Sequence, residues 1–230
     1  MNLQKHYDRM WDEASGKFKT KQFETDPMID SSDDDRYGIT LLARPSEQVK
    51  QNISEMLNEI KSVAPLQYYY PLSDLHFTVL SVISCYSGFS LTDIQSSRYI
   101  NLIELVTTSF SPFRIRFQGI TASPSCIIVQ GFPEDDSLNE LRTKLREQFR
   151  TSDLQNSIDH RYLLKTAHLT CVRFREVPEN PEKVFSSVSQ FRNRDFGISK
   201  IDRLELVGND WYQRKEKTTL LDTFHLTSSA

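Results

Sequence analysis

From residue 36 onward, hydrophobic and polar positions alternate in a pattern that predicts strands and amphipathic helices in turn. Apolar residues at helical spacing follow Ser46, which is a suitable N-cap for the first of these helices. In the next strand, alternation with a period of two puts His76 and Thr78 on the same face. The first half is thus predicted as strand, helix and strand, over residues 37–43, 46–63 and 75–82.

The second half repeats this order after a helix at about 92–108 and a strand at 113–117. Its strand, helix and strand are predicted over residues 126–130, 136–150 and 166–174. The last strand carries His168-Leu169-Thr170, the counterpart of His76-Phe77-Thr78. His76 follows Ile39 by 37 residues, and His168 follows Ile127 by 41. The matched spacing predicts two similar lobes.

The ends of the chain complete the predicted organisation. A helix at 181–193, a strand at 201–207, a turn at 208–210 and a strand at 218–226 follow the second motif. Residues 1–35 are predicted as an N-terminal extension, with a short helix at 3–13 and an acidic loop at 30–35. No glycine-rich linker interrupts the chain, so residues 36–230 are predicted as one bilobal domain. We expect one motif in the lobe 36–110 and the other in the lobe 111–226.

The two His-x-Thr motifs offer two imidazoles beside two hydroxyl groups. One neutral imidazole can take a proton from an attacking water or ribose hydroxyl, while the other, as imidazolium, protonates the leaving oxygen. The hydroxyls of Thr78 and Thr170 can donate hydrogen bonds to non-bridging phosphate oxygens. Histidine suits both roles because its ordinary pKa of about 6.5 keeps both protonation states accessible. This set predicts phosphodiester chemistry without a metal or another cofactor.

The tripeptide alone is weak evidence, because a single His-x-Thr is usually just a polar strand face. A third copy, His225-Leu226-Thr227, lies near the C-terminus without a preceding strand and helix, and it is predicted to be part of a terminal strand. His6 and His160 have no hydroxyl at that spacing and are predicted to be surface residues. The equivalent placement of the first two motifs is what favours a shared site.

Composition and charge narrow the classes of function. The 230 residues are 38% hydrophobic and 26% charged, and no apolar run has the length of about 18 residues that a membrane span needs. The formal charge of -3 argues against a protein that grips long nucleic acids through their phosphates. Most basic residues of the second half are predicted to be solvated, namely Arg142, Lys144, Arg146, Arg150, Arg161, Lys165, Arg173 and Arg175.

The N-terminal residues and the cysteines indicate the cellular compartment of the protein. The first residues lack the apolar core of a secretory signal, and the three cysteines, Cys85, Cys126 and Cys171, cannot all pair. These features predict a cytoplasmic protein.

The paired motifs in a duplicated strand and helix arrangement resemble the two-histidine (2H) phosphoesterase superfamily, which includes bacterial 2′-5′ RNA ligase-like proteins and cyclic nucleotide phosphodiesterases. The resemblance spans about residues 36–226. It implies an α+β fold with two antiparallel sheets that form a concave cleft, with helices on the outside. It also implies that His76 and His168 are the acid and base pair and that Thr78 and Thr170 bind phosphate, without saying which histidine is the acid. Phe77, Leu169 and Cys171 should pack behind the sheets.

Further candidates for substrate binding are aromatic residues that could stack on a base and cations that could face a phosphate. Trp211-Tyr212 is the most interesting pair, because it lies in a predominantly polar connection between strands. The candidates are Tyr70, Trp211, Tyr212, Lys165 and Arg173, with Tyr68 and Tyr69 as neighbours of Tyr70.

The leading hypothesis is a metal-independent phosphodiesterase that acts on 2′,3′-cyclic phosphate or 2′-5′ linked nucleotide or RNA-end substrates. The alternative is a catalytically silent module that binds nucleotides or RNA in the same cleft. A metal-dependent esterase that uses the acidic loop is a further alternative. We expect a monomer that binds neither membranes nor long duplexes.

Overall fold

A computed structural model describes residues 2–227, which form two antiparallel sheets flanked by helices. The α+β class and the two-sheet architecture predicted from the sequence are confirmed. The strands are β1 Tyr37–Ala43, β2 Tyr68–Tyr69, β3 Phe77–Tyr86, β4 Phe113–Ser123, β5 Cys126–Pro133, β6 Leu169–Arg173, β7 Asp195–Ile201, β8 Arg203–Asp210 and β9 Thr219–His225. The helices are α1 Leu3–Lys19, α2 Glu47–Val63, α3 Ser96–Thr107, α4 Ser137–Thr151 and α5 Pro181–Gln190, with short 3-10 turns at Leu91–Asp93 and Lys215–Lys217.

The predicted repeat is visible as two strand-helix-strand units. In each unit the two strands are antiparallel neighbours, β1 with β3 around α2 and β5 with β6 around α4. Ser46 caps α2 as predicted, its hydroxyl accepting a bond from the amide of Val49. The four-stranded sheet has the order β3-β1-β8-β9, and the five-stranded sheet has the order β2-β6-β5-β4-β7.

Both motif strands carry a β-bulge immediately after the motif threonine. Thr78 pairs with Leu42 and Leu80 with Leu41, so Val79 between them has no partner. In the same way Thr170 pairs with Ile128 and Val172 with Ile127, which leaves Cys171 unpaired. A bulge bends its strand and redirects the neighbouring side chains, and such features concentrate next to functional sites. The repeat therefore extends to an irregularity that hydrophobic periodicity does not encode.

The two sheets are not two consecutive segments of chain. Strand β8 pairs with β1 and strand β9 pairs with β8, so both belong to the first sheet, although the sequence placed 201–207 and 218–226 in a lobe with the second motif. Helix α2 of the first unit packs against β7 of the five-stranded sheet, and α4 of the second unit contacts β3. Strands near the end of the chain thus complete the first sheet, and a division at residue 110 does not separate the sheets.

The N-terminal helix is part of the core rather than an appendage. It continues to Lys19, beyond the predicted end near residue 13, and it buries Tyr7, Ala14 and Phe18. The hydroxyl of Tyr7 donates a hydrogen bond to the carbonyl oxygen of Gly131 at 3.2 Å. The helix packs on β4 and α5, so the extension covers the back of the five-stranded sheet.

In the last third of the chain one strand was not predicted and one local prediction was wrong. Residues 195–201 form β7, which the sequence analysis did not include, and residues 208–210, predicted as a turn, are the last residues of β8. Gly208 and Asn209 pair with β1, and this tertiary pairing overrides their local preference for turns.

The last three residues of the predicted domain, 228–230, lie outside the described range. No helix within residues 2–227 is both long enough and apolar enough to cross a membrane.

Candidate active site

A cavity with a volume of about 240 Å³ lies between the two sheets, where their motif strands approach each other. Strand β3 is an edge of its sheet, and β6 is followed only by the two-residue β2, which pairs with Val172 and Arg173. The first residues of β6 are therefore open on that side. All four motif side chains line the cavity, namely His76, Thr78, His168 and Thr170.

The imidazole of His76 is held in one tautomer. Its Nδ1 lies 2.7 Å from the carbonyl oxygen of Asp74. Because a carbonyl oxygen only accepts hydrogen bonds, Nδ1 carries the proton, and in the neutral ring Nε2 has a free lone pair. Burial lowers the pKa of His76 to about 4, although the bond to Asp74 opposes this shift. In the unliganded protein at neutral pH, His76 is a neutral hydrogen-bond acceptor.

His168 has a more adaptable partner. Its Nδ1 lies 2.7 Å from the hydroxyl oxygen of Thr166, which can either donate or accept. Burial lowers the pKa of His168 to about 4, and the charges of His76, Arg142 and Arg173 act in the same direction. When the Thr166 hydroxyl donates to Nδ1, the neutral ring presents Nε2–H. The two imidazoles can therefore offer opposite functions, an acceptor at His76 and a donor at His168.

A buried guanidinium joins the backbones of the two motifs. Arg142 of α4 is 1% exposed. Its Nε donates to the carbonyl of Val79 at 2.9 Å, and its Nη2 donates to those of Thr78 at 2.7 Å and Thr166 at 2.8 Å. Among the described residues it has no ion pair with a carboxylate, and burial lowers its pKa to about 10. The prediction that most basic residues of this region are solvated was wrong for Arg142.

Two further candidates for substrate binding meet in the cavity. Tyr70 and Arg173 both line it, and Nε of Arg173 donates to the hydroxyl oxygen of Tyr70 at 2.9 Å. Burial raises the pKa of Tyr70 to about 12, so its hydroxyl stays protonated at neutral pH. This pair places a cation and a hydroxyl donor in the same cavity as the motif residues.

Of the remaining candidates for substrate binding, one lines the cavity and two do not. Trp211 lines the cavity, and the guanidinium carbon atoms of Arg36 and Arg161 lie 4.7 and 4.5 Å from the centre of its ring. Tyr212 is fully buried and does not line the cavity; its hydroxyl donates to Asp26 at 2.9 Å. Lys165 lines a separate surface cavity near α1. Trp211 is thus brought to the site, whereas Tyr212 and Lys165 are not.

The acidic loop does not gather its carboxylates. Asp34 forms two hydrogen bonds with Arg36, Asp30 pairs with Arg175, and Asp35 accepts a bond from Ser87. Within residues 2–227 no group of three or more His, Cys, Asp or Glu side chains is placed to hold a metal ion.

Neighbours of the motifs also have the expected positions. His225 is exposed on the edge strand β9, away from the cavity that holds the other two motifs. Phe77, Leu169 and Cys171 are fully buried in the core, as predicted. Burial raises the pKa of Cys171 to about 12, which disfavours its thiolate form.

The segment between α4 and β6 supplies a wall of the cavity that the sequence did not indicate. Ser157 anchors it to β3, because its amide donates to Val82 at 2.9 Å and its hydroxyl accepts from the amide of Ser84 at 2.7 Å. The sequence analysis assigned no element to residues 152–163, and hydrophobic periodicity does not report which sheet a connecting segment crosses. The wall and its surroundings add Ser81, Ser84, Ser157, Asp159, Arg161, Tyr162, Asn209 and Gln213 to the lining.

The fold of two antiparallel sheets around one cleft, which the resemblance implied, is also found in solved structures of other proteins. Solved structures with this fold include TT0787 of Thermus thermophilus, with a TM-score of 0.58 and 16% identity over 83% of this chain and 99% of that one. E. coli LigT complexed with 3′-AMP has a TM-score of 0.54 and 12% identity, and covers 84% of this chain and 99% of its own.

A third structure, described as a phosphoesterase, has a TM-score of 0.53 and 14% identity over 84% of this chain and 99% of that one. LigT has also been crystallised with ATP and with NADP+. No family model and no curated protein matches the chain. At these identities the likeness concerns the fold, and the activity has to be argued from the residues of the cavity.

Proposed function

We propose that the protein is a metal-independent phosphodiesterase that hydrolyses 2′,3′-cyclic phosphates or 2′-5′ linkages in nucleotides or RNA ends. The observation that carries the proposal is the pair of imidazoles in one cavity, each with Nδ1 held by a hydrogen bond and each beside a threonine hydroxyl. Structures with the same fold include LigT complexed with 3′-AMP and a phosphoesterase, which supports a nucleotide phosphate as the ligand.

The hydrogen bonds favour distinct roles for the two histidines. His76 offers the free lone pair of Nε2 and takes the proton of the attacking water, whose oxygen forms the new bond to phosphorus. The P–O bond to the ribose oxygen breaks, and His168 protonates that oxygen. The anionic phosphate favours the imidazolium form of His168, and the Thr166 hydroxyl can then accept from Nδ1–H. The step balances, because His76 gains one proton from the water and His168 loses one proton to the leaving ribose oxygen.

The other residues of the cavity bind the phosphate. Thr78 and Thr170 donate their hydroxyl protons to non-bridging oxygens, where negative charge is concentrated. Arg173 faces the same space and adds a positive charge. The cavity of about 240 Å³ suits a mononucleotide or the end of a chain better than an internal segment of a long RNA.

The test is hydrolysis of a panel of 2′,3′-cyclic nucleotides, 2′-5′ dinucleotides and cyclic dinucleotides in the presence of excess chelator. His76→Ala and His168→Ala should each lower the rate by about 10²–10⁴-fold, and the double variant is the blank. His225→Ala is a matched control, because it removes the same residue type from the third His-x-Thr sequence outside the cavity. Wild-type rates in either single variant would overturn the proposed mechanism.

A silent binding module is the second candidate. Both imidazoles have depressed pKa values in the unliganded site, which suits a ligand-binding cleft as well as a catalytic one. That function is favoured if no substrate of the panel is turned over while nucleotides bind equally well to wild type and the double variant. Turnover that is lost on chelation would instead favour a metal-dependent esterase.

A further inference from the structure

Two hydrogen-bond acceptors in residues of the cavity wall have no donor among residues 2–227. Among the described residues, four buried side-chain polar atoms lack a hydrogen-bond partner, and two of them are the amide oxygens of Asn209 and Gln213. Both residues line the cavity, and their exposed fractions are 2% and 8%. Buried polar groups in native proteins are almost always paired, so an unpaired acceptor at a cavity indicates a missing partner.

The other two unpaired atoms have explanations within the fold. Asp210 Oδ2 lies 3.7 Å from Nη1 of Arg214, in an ion pair slightly too long for a hydrogen bond. Arg142 Nη1 belongs to the guanidinium whose other nitrogens hold three backbone carbonyls. Only the two amide oxygens belong to residues of the cavity wall.

The orientation of the Asn209 amide follows from its neighbours. Its Nδ2 donates to the carbonyl of Asp210 at 2.8 Å and lies 3.6 Å from the sulfur of Cys85. Exchanging the oxygen and nitrogen of this amide would place two acceptors against each other at 2.8 Å. The atom without a partner is therefore an oxygen, and its missing partner is a donor.

Gln213 occupies a backbone conformation that disfavours its side chain. Its φ is +60°, in the left-handed region where glycine is unstrained and other residues are not. The turn is closed by its amide, which donates to the carbonyl of Asp210 at 3.2 Å. A glycine would satisfy the backbone at this position at lower cost, so the turn alone does not account for a glutamine here. Strained residues of this kind concentrate at ligand sites.

Trp211 lies between these two residues in the sequence and also lines the cavity. Arg36 is held by Asp34 and Tyr212, whereas Arg161 is exposed and has no hydrogen bond or ion pair among the described residues. An indole face that bears a free guanidinium can exchange it for a base, since base stacking on an aromatic ring is comparably favourable.

We infer that residues 209–213 form a nucleobase subsite in which Trp211 stacks on the base and the amide oxygens of Asn209 and Gln213 accept hydrogen bonds from an amino group on its edge. This inference rests on the proposed function, because the phosphate would lie at the motif residues of the same cavity. Amide oxygens accept only, so the subsite prefers bases with an exocyclic amino group to analogues without one. Both oxygens are shielded in this structure, so the subsite requires each side chain to rotate toward the base when it binds.

The experiment compares substrates that differ by one amino group. Adenosine 2′,3′-cyclic phosphate is paired with its purine riboside analogue, and the guanosine compound with the inosine compound. In wild type the amino-bearing member of each pair should have a kcat/KM about ten- to hundredfold higher, because the other leaves an acceptor unpaired. Gln213→Met removes the acceptor at nearly constant length and should reduce the ratio several-fold or more.

Two variants separate base recognition from folding. Gln213→Gly relieves the strained backbone, so it should keep or raise the melting temperature while it loses the preference. Gln51→Met makes the same chemical change as the test variant on the exposed face of α2 and should keep the full preference. Loss of the preference together with a large fall in melting temperature in Gln213→Gly would contradict the assignment.

A binding assay keeps the inference testable if turnover is absent. The chain has two tryptophans, so Trp11→Phe leaves Trp211 as the single fluorescent reporter. Its emission should be quenched by adenosine 3′-monophosphate at a concentration several-fold lower than by the purine riboside analogue. Binding that depends on the amino group without turnover supports the subsite and refutes the proposed function. Equal hydrolysis or equal binding of both members, as expected if water satisfies the amides, overturns the subsite alone.

Discussion

Replacing Arg142 by methionine should damage catalysis far more than stability. The guanidinium holds the carbonyls of Thr78, Val79 and Thr166, and these belong to the two segments that carry His76 and His168. Methionine fills most of the same volume but cannot donate. The two segments would lose their common anchor, and the imidazoles would lose their fixed separation.

The effect on stability is the difference of two large terms. Hydrogen bonds from a charged donor contribute about 1.5–3 kcal/mol each, so three contribute roughly 5–9 kcal/mol. Against this stands the burial of a cation without a carboxylate partner, which costs several kcal/mol. We expect the free energy of unfolding to fall by about 1–3 kcal/mol, which lowers the melting temperature by about 2–12 °C. Because a misplacement of about 1 Å can cost 10²-fold, kcat/KM should fall by at least about 100-fold.

The assay is hydrolysis of the best substrate of the panel, with the melting temperature measured in parallel. Arg142→Lys keeps the charge but offers a single nitrogen, and we expect an intermediate loss of activity. Arg150→Met makes the same substitution on the exposed side of α4 and should leave kcat/KM unchanged. The pKa of His168 should also rise in Arg142→Met, because the charge of Arg142 contributes to lowering it.

Two results would refute this reasoning. A folded Arg142→Met variant with wild-type kcat/KM would show that the anchor does not position the histidines. A loss of activity that merely follows the unfolded fraction, with no change in the pKa of His168, would assign Arg142 a purely structural role.

Other expectations follow from burial and from backbone geometry. Gly131→Ala should destabilise the protein and lower activity, because the added methyl would collide with the carbonyl of Ala167 beside the second motif; thermal melting and kcat/KM measure this. Gly16→Ala, in a helix with no atom within 4 Å of the new methyl, should stabilise the fold by about 0.5–1 kcal/mol, measured by urea unfolding. In NMR titrations of the free protein, His76 and His168 should stay neutral until the pH approaches about 4. Since the unfolded chain binds these protons near pH 6.5, stability is fully present above that pH and declines as the pH falls towards about 4.

The sequence predicted the parts of the fold that depend on local pattern. Alternation with a period of two correctly placed Thr78 beside His76 and buried Phe77, because side-chain direction in a strand is set locally. The repeat of strand, helix and strand correctly predicted that His168 would meet His76 in one cleft. Neither inference required knowledge of which strands pair.

Features that depend on contacts between distant parts of the chain could not be predicted from the local pattern of hydrophobic residues. The return of β8 and β9 to the first sheet depends on contacts across most of the chain, and no local signal marks it. Tyr212 was assigned to substrate on its position in a polar connection, but its hydroxyl is used to bind Asp26. Lys165 is only three residues before His168 in the sequence and still lines a different cavity.

Arg142 is the one error that the sequence itself could have prevented. It follows Leu138 by four residues and precedes Leu145 by three, so it lies on the buried stripe of α4. A charged residue on such a stripe is either exposed at the edge of the core or bonded inside it. Reading its position on the helix, rather than its charge, would have predicted a buried guanidinium with backbone partners.

The burial of Arg142 and the neutrality of the histidines have a common consequence for the site. A protein with a formal charge of -3 gains no general attraction for a phosphate, so the local field of the cavity must provide it. Arg142 and Arg173 supply that field, and the same charges help to keep His168 unprotonated while the cavity is empty. A bound phosphate anion would offset both charges and raise the pKa of His168, so in the proposed mechanism His168 gains its proton when the substrate binds. In that mechanism the imidazolium of His168 forms only in the complex, and the pH optimum of kcat should lie above the pKa of about 4 of the two histidines in the free protein.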